Sequence, residues 1–541
     1  MVAFLFLLCA IASAIVVLYY EFTAALVRSH RRSERACHQL AATTADATAA
    51  GSYRKKGADK IDWLIVICVL KEVRLLYRCV LHALIASEGL GTVIVALDGR
   101  TPEIVGECHR MVEMVNTEYQ SISNSNLPAR ALCVPTFLGW KPEVHRKSKA
   151  IALNIILSLR GTKIFWHSKS TQPSLALRRP ATSSRDWQAI SIPSATFVVC
   201  VDVDEILTRE GLKSLMAATC RYPEAVLIQC AKHDRPVRRN PFSRGFAAAY
   251  TSWFFQGAAW SGADNSHLSA SYYGSMAALK IANNTYPSCT YTLNNGEGIH
   301  GIEVFPTQYA VEDYPLYVKH LRDKTTVFLP SVAGHGLAPV DAGAFLQLWG
   351  RWAFGNLATI RDLPQVALGR GTGANQRRCM QVHAISWIAV GLAGILPILS
   401  SFSLLIHSIF TIPVCSATAS TTLATTYRLL LPVRGVSLPD RVLRVPSESI
   451  LWPVSIVCLA NVIARNRSFF TTSATPRDGG SIPIYYWLTY LSELALVTYT
   501  FTCAYYSNTS PWVLSLYVLD SLPLSIGVAF LMGDTLMTLC N

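Results

Sequence analysis

Phe197-Val198-Val199-Cys200-Val201-Asp202-Val203-Asp204-Glu205 is the stretch on which the fold turns. A short apolar run, rich in β-branched residues, ends in carboxylates. That pattern predicts a strand buried on both faces, with its acids at the carboxyl end. Ligands of open α/β sheets bind at that end. Residues i and i+2 share one face of a strand, so Asp202 and Asp204 can point at one site. Two hard oxygen donors suit Mg²⁺ or Mn²⁺ shared with phosphate oxygens. A competing reading is structural: Asp204 precedes ILTREGLKSLM, a predicted helix, and can serve as its N-cap.

Working outward, 61–70 (IDWLIVICVL) predicts a first strand, followed by Lys71-Glu72 and an amphipathic helix. A second strand over 92–97 ends at Asp98-Gly99, a pair that also suits a simple turn. Val311-Glu312-Asp313-Tyr314-Pro315-Leu316 follows later, then a helix and an apolar strand over 325–329. Alternating strands and helices predict an α/β domain over 61–340, its sheet mixed but mostly parallel with helices on both faces. Residues 166–192 are polar and rich in Ser and Pro, and are expected to form an inserted surface loop.

The chain has 541 residues, a formal net charge of +14, 51% hydrophobic and 15% charged residues. The low charged fraction excludes a disordered chain. A mean hydropathy of +0.30 with long apolar runs argues against a wholly soluble one. The fifteen cysteines are scattered with no CxxC pair, which supports neither a zinc ribbon nor a disulfide scaffold. The positive balance suits an anionic membrane face or phosphorylated substrates. Dispersed basic residues without a recognition motif give no support for nucleic acid as a partner.

Residues 2–20 carry no charge and are long enough to span a bilayer. Arg28, Arg31, Arg32 and Arg35 follow them, which predicts a cytosolic next domain. The expected organisation is an N-terminal transmembrane helix over 1–22 and a linker over 23–60. The α/β domain follows, then membrane-interface helices over 341–380 and a transmembrane region over 381–541. Within that last region 384–417 reads as a tight pair of spans broken near Pro397. Residues 485–506 and 511–535 read as single spans, and 449–464 as a short segment that crosses or lies in the interface. About five spans result, in a multi-pass integral membrane protein.

Taken in order, these motifs resemble the membrane-embedded branch of the family-2 glycosyltransferases, with cellulose, hyaluronan and chitin synthases. The resemblance runs from about residue 61 through the first C-terminal span. It implies a GT-A-type domain, a nucleotide-sugar donor (UDP before other nucleotides), and a saccharide or lipid acceptor beside membrane lipids. It assigns nucleotide-sugar contacts to Glu72, Asp98, Lys149 of Lys149-Ala150-Ile151-Ala152-Leu153-Asn154, Asp202 and Arg351, and the metal to Asp204. Tyr273 and Gly274 echo an acceptor-facing segment, and Glu312 and Asp313 match the acidic pair whose Asp is the general base. Gln347-Leu348-Trp349-Gly350-Arg351-Trp352 matches a closing Q-x-x-R-W motif except that Leu348 stands where Gln is expected. On a helix Gln347 points about 100° away from that position. Trp352 would stack on an acceptor sugar.

These residue types suit sugar transfer. Arg351 can hold phosphate by two parallel contacts, which Lys cannot reproduce. Asp313 can take the acceptor proton, with a surface helix cap before Pro315 as the competing local reading. Phe345, Trp349 and Trp352 can alternatively anchor an interfacial helix. His300 and His335 suit turns, His145, Arg146 and Lys147 suit solvated surface, and Trp253, Trp260 and Tyr272 suit either core or a sugar platform. No Walker loop or GxSxG elbow is present. The sequence therefore predicts an inverting transferase acting on a growing polysaccharide. Its rivals are single transfer to a lipid, as in ceramide glucosyltransferase-like enzymes, and a catalytically dead membrane scaffold.

Overall fold

The computed structural model describes residues 63–69, 73–87, 91–97, 102–122, 131–135, 148–167, 174–177, 187–261, 271–282, 285–292, 297–372, 374–405, short pieces within 414–433, and then 435–465, 482–507 and 509–539. The predicted N-terminal span and linker lie outside them. Among the described residues two compact units emerge: 63–233 with 261–336, and 234–260 with 337–539.

The first unit is α/β. Its opening strands are β1 (Trp63–Val69), β2 (Gly91–Leu97) and β3 (Ala131–Pro135), separated by α1 (Val73–Ser87) and α2 (Pro102–Ile122). After α3 (Ser148–Ser158) come β4 (Lys163–His167), β5 (Ser174–Ala176), β6 (Trp187–Ser191), β7 (Phe197–Asp202), β8 (Ile206–Leu207) and α4 (Arg209–Arg221). Then follow β9 (Leu227–Arg235), β10 (Ala277–Lys280), β11 (Ser288–Thr292), β12 (Gly298–Ile302) and β13 (Thr326–Leu337). The main sheet has eight strands in the order β3-β2-β1-β7-β10-β9-β13-β8. The strands β3-β2-β1-β7 pair in parallel, whereas β10 pairs antiparallel with both β7 and β9, and β13 antiparallel with β8. The sheet is thus mixed as expected but parallel only in its first half. Helical crossovers serve that half; a strand such as β8, two residues long and entered from a turn, needs none.

β1 and β7 lie at the centre with nearly every residue buried, as continuous apolar runs require. Their register sets Cys68 opposite Asp202, so the first acid of the motif stands at the end of the pairing. Two expectations change here. Residues 166–192 are not simply a loop: β4, β5 and β6 form a three-stranded antiparallel sheet, in which Ile190 stands opposite the buried Ile164. Asp204 is not the cap of the following helix. Ile206–Leu207 intervenes as β8, and Thr208 caps α4 by accepting from Gly211 N at 3.1 Å.

The second unit is helical. It contains α5 (Pro241–Ser261), α6 (Ala342–Asp362), α7 (Ala374–Leu405), α8 (Leu438–Ser449), α9 (Trp452–Ile463), α10 (Ile484–Tyr506) and α11 (Pro511–Leu539). Aromatic packing joins α5 to α6: Trp253 lies 4.8 Å from Trp349 and 5.5 Å from Phe345, ring centre to ring centre. Phe345 and Trp349 are therefore core residues, 0% and 6% exposed, and not interfacial anchors. The tight pair of spans expected over 384–417 does not break at Pro397: the helix runs on to Leu405, since a proline removes a single backbone donor, and 406–413 lie outside the described residues. α8 and α9 bend by 43° at their junction. Among the described residues one helix, Pro511–Met537, is long and apolar enough to cross a membrane, or two if the bent pair counts as one span.

Candidate active site

The α/β unit gathers charged groups from distant parts of the chain. Lys149, in the first turn of α3, places its Nζ 2.7 Å from Asp202 Oδ1 at the end of β7. The same Nζ is 2.7 Å from Glu312 Oε1, which precedes the helical turn Asp313–Leu316. It also donates to the Gly274 carbonyl at 3.3 Å. Burial works against the Lys149 charge, but Asp202 and Glu312 outweigh it and hold the ammonium well above the usual lysine range.

Gly274 has φ +85°, a backbone conformation that disfavours any side chain, and a Cβ there would lie 3.7 Å from Asp313 Oδ2. Its carbonyl also accepts from Tyr272 OH at 2.8 Å. Asp313 is thereby brought beside the Lys149 cluster. Its Oδ1 accepts from Tyr314 N at 2.9 Å, which leaves Oδ2 as the oxygen toward Gly274. Burial, then the neighbouring Glu312 carboxylate, raise the Asp313 carboxyl to about 6. A carboxyl so raised can accept a proton near neutral pH.

Glu205 ties the end of β7 to two other strands. It is 1% exposed, and its Oε1 is 2.7 Å from Lys232 Nζ on β9 and accepts from Ser275 Oγ at 2.8 Å. Its Oε2 accepts from Asp202 N at 3.1 Å. Gln229 completes the brace by donating to the Ser275 carbonyl at 2.8 Å and accepting from Tyr273 N at 3.0 Å. Lys232 and Gln229 carry no motif in the sequence. The available signal was a Gln and a Lys among the buried residues of β9, where each must find a partner.

Asp204 is half-buried. Burial, then the Glu205 and Asp202 carboxylates, raise it to about 7 against the opposing charge of Lys232. Five carboxylates thus face two lysines in this part of the unit. No group of three or more His, Cys, Asp or Glu side chains surrounds a metal position among the described residues. A hard divalent ion that keeps waters and phosphate oxygens needs only one or two carboxylates, so Asp204 with its excess negative surroundings fits such an ion.

Other predicted residues fall elsewhere. Arg351 and Trp352 belong to the helical unit, on α6. Arg351 Nε is buried without a hydrogen-bond partner. Trp352 is half-buried with its ring 5.1 Å from Tyr250. Leu348 is 7% exposed, packed as an apolar residue should be. Tyr272 is core, at 1% exposure. Glu72 and Asp98 lie outside the described residues, as do His145, Arg146 and Lys147.

Residues 197–432 match the family model for glycosyl transferase family group 2. The chain is a glycosyltransferase. The match opens on β7 and includes Asp202, Asp204, Glu312, Asp313 and Arg351; it covers less than half of the chain and does not reach Lys149. No curated protein matches the sequence. Among solved structures the chain is similar to a mannosyltransferase, PcManGT from Pyrobaculum calidifontis, in complex with GDP-Man and Mn²⁺. The two share 13% identity over 84% of this chain and 99% of that one, with a TM-score of 0.44, which is too low for the likeness to carry a functional argument.

Proposed function

We propose that this glycosyltransferase is a membrane-embedded, inverting enzyme. It would take a sugar from a nucleoside diphosphate donor, a UDP-sugar by the resemblance, and pass it to a hydroxyl of a growing polysaccharide. The observation that carries the reading is the convergence of Lys149, Asp202 and Glu312, with Asp313 brought beside them at Gly274. The raised Asp313 is the base: its free Oδ2 takes the acceptor proton as the acceptor oxygen bonds to the anomeric carbon. The bond from that carbon to the phosphate oxygen breaks, and the nucleoside diphosphate leaves. One displacement inverts the anomeric centre, and no covalent sugar intermediate forms.

Asp204 and Asp202 would hold Mg²⁺ or Mn²⁺, which when bound neutralises the charge developing on the diphosphate. Lys149 fixes Asp202 and Glu312 in place and keeps the site's negative charge in check. Glu205, through the Asp202 backbone and Lys232, holds the end of β7 rigid. Arg351 for the diphosphate, Trp352 for the acceptor and Glu72 and Asp98 for the nucleotide enter on the resemblance alone.

Support for the membrane comes from the apolar helix α11 and from large apolar residues exposed on the helical unit. Ile484 and Leu488 of α10 are 72% and 59% exposed, and Trp512 and Leu536 of α11 are 76% and 61% exposed. A soluble protein rarely presents such a surface to water. Multi-pass insertion with a cytosolic catalytic unit follows as part of this proposal.

The test is incubation of the purified protein with UDP- and GDP-sugars and Mn²⁺, followed by sizing of the labelled product. Polymer from a UDP-sugar is expected. A single sugar on a lipid would replace the polysaccharide acceptor, and product from GDP-sugars alone would replace the donor. Asp204→Asn and Asp313→Asn are each expected to lower transfer by about 10²-fold or more, and full activity in either variant would remove that residue's role.

A further inference from the structure

The helical unit holds a pocket of about 380 Å³ whose walls come from Ile398 of α7, Trp452 of α9 and one face of α10. Leu488, Ser492 and Leu496 follow at i, i+4 and i+8 along that face, with Glu493 beside them. Glu493 is 3% exposed, and neither of its carboxyl oxygens has a hydrogen-bond partner. The indole Nε1 of Trp452 is likewise buried and unpartnered. Trp452 is near enough to act on the Glu493 carboxyl, yet no hydrogen bond closes between them. A buried donor and a buried acceptor left unmet each cost free energy, and native interiors rarely keep them so.

One group meets both needs. A hydroxyl accepts from the indole N–H and donates to the Glu493 carboxyl. An ammonium has only donors and leaves the indole unmet; an ester has only acceptors and leaves the accepting oxygen of the carboxyl unmet. A water could bridge the pair, but the pocket is many times larger than one water and its remaining walls are mostly apolar. Leu488, more than half exposed, opens the pocket onto the apolar outer surface of the unit. We propose that this pocket binds a lipid whose head group is a free hydroxyl, the hydroxyl seated between Glu493 and Trp452 and the chain lying along Leu488 and Leu496. The inference rests on the membrane placement proposed above and not on sugar transfer.

The test uses the full chain in phosphatidylcholine nanodiscs with a diazirine-bearing monooleoylglycerol as probe. Photolabel is expected on peptides from 484–506 and around residue 452. Excess monoolein should suppress it about tenfold, while methyl oleate and oleylamine should not. Glu493→Gln keeps an accepting oxygen and should keep the label. Glu493→Leu should lose it about tenfold and Trp452→Phe about threefold. Trp452→Phe keeps an aromatic ring without the N–H and decides the matter if Glu493→Leu fails to insert. Absence of label at these peptides, equal suppression by methyl oleate or oleylamine, or label unchanged in both Glu493→Leu and Trp452→Phe would overturn the proposal. Carbonate extraction of native membranes tests the membrane placement separately.

Discussion

In the α/β unit, Lys149 lies 2.7 Å from two carboxylates and Lys232 lies 2.7 Å from a third. In the helical unit, Glu493 is buried with no partner at either oxygen, and the ion pair Arg444–Glu448 is a local contact one helical turn apart. The first arrangement needs residues far apart in sequence to meet, here at the ends of the sheet strands. The second needs only a helix. Charge that converges from distant segments is expensive to desolvate and is kept where chemistry uses it. Charge within a helix turn mainly supports the helix.

The sharpest way to break this contrast is at Asp313. Asp313→Asn should lower transfer about 10²–10⁴-fold with the circular dichroism spectrum unchanged, as expected for loss of a base. In the wild type the rate should rise with pH through about 6 and level off above it, because the base must be ionised. Glu312→Gln should move that midpoint down, since the Glu312 charge is the second cause of the shift after burial. Stability should change in the opposite sense. A raised carboxyl contributes stability that is present below about pH 4 and is lost as pH rises through about 6. A rate that does not depend on pH between 5 and 7 would sink the assignment.

Next in size is the braced pair. Lys232→Met strands a carboxylate that is 1% exposed and should cost about 3–5 kcal/mol in urea melts. Adding Glu205→Leu should restore much of that loss, because the stranded charge goes with it. A simple sum of the two single effects would mean that the pair is not coupled.

Much of this contrast was readable beforehand, and the unread part has a physical cause. A run such as Phe197–Asp202 announces a buried strand because apolar residues on both faces have no other use, and its acids fall at the end where the run stops. The Lys149 segment was marked by motif, yet its bond to Glu312 was not, since a distance between residues 149 and 312 is set by the whole sheet. Lys232 left only a weak trace. The cap of α4 was misplaced by four residues because Asp and Thr both cap well, and β8 had no propensity signal in two residues. Phe345 and Trp349 read as interfacial because an aromatic stripe looks alike whether lipid or Trp253 covers it.

The two smallest predictions compare ion pairs that water reaches. Lys149→Met removes a cation whose partner Asp202 is 35% exposed, so screening limits the loss to about 1–3 kcal/mol. Lys149→Arg should recover the charge but not the two 2.7 Å contacts to Asp202 and Glu312. In the helical unit Arg244 and Asp440 pair at 2.7 Å with side chains 43% and 26% exposed. Two flexible side chains held together in high dielectric gain little, so Arg244→Ala should cost about 0.2–1 kcal/mol. That small effect should fade further between 50 mM and 500 mM salt, as the screening length falls. The Lys232→Met effect should barely respond to salt, because its partner is out of water. A large, salt-independent loss for Arg244→Ala would mean that the helical unit leans on charge as the α/β unit does, and the distinction between buried and water-exposed pairs would fall with it.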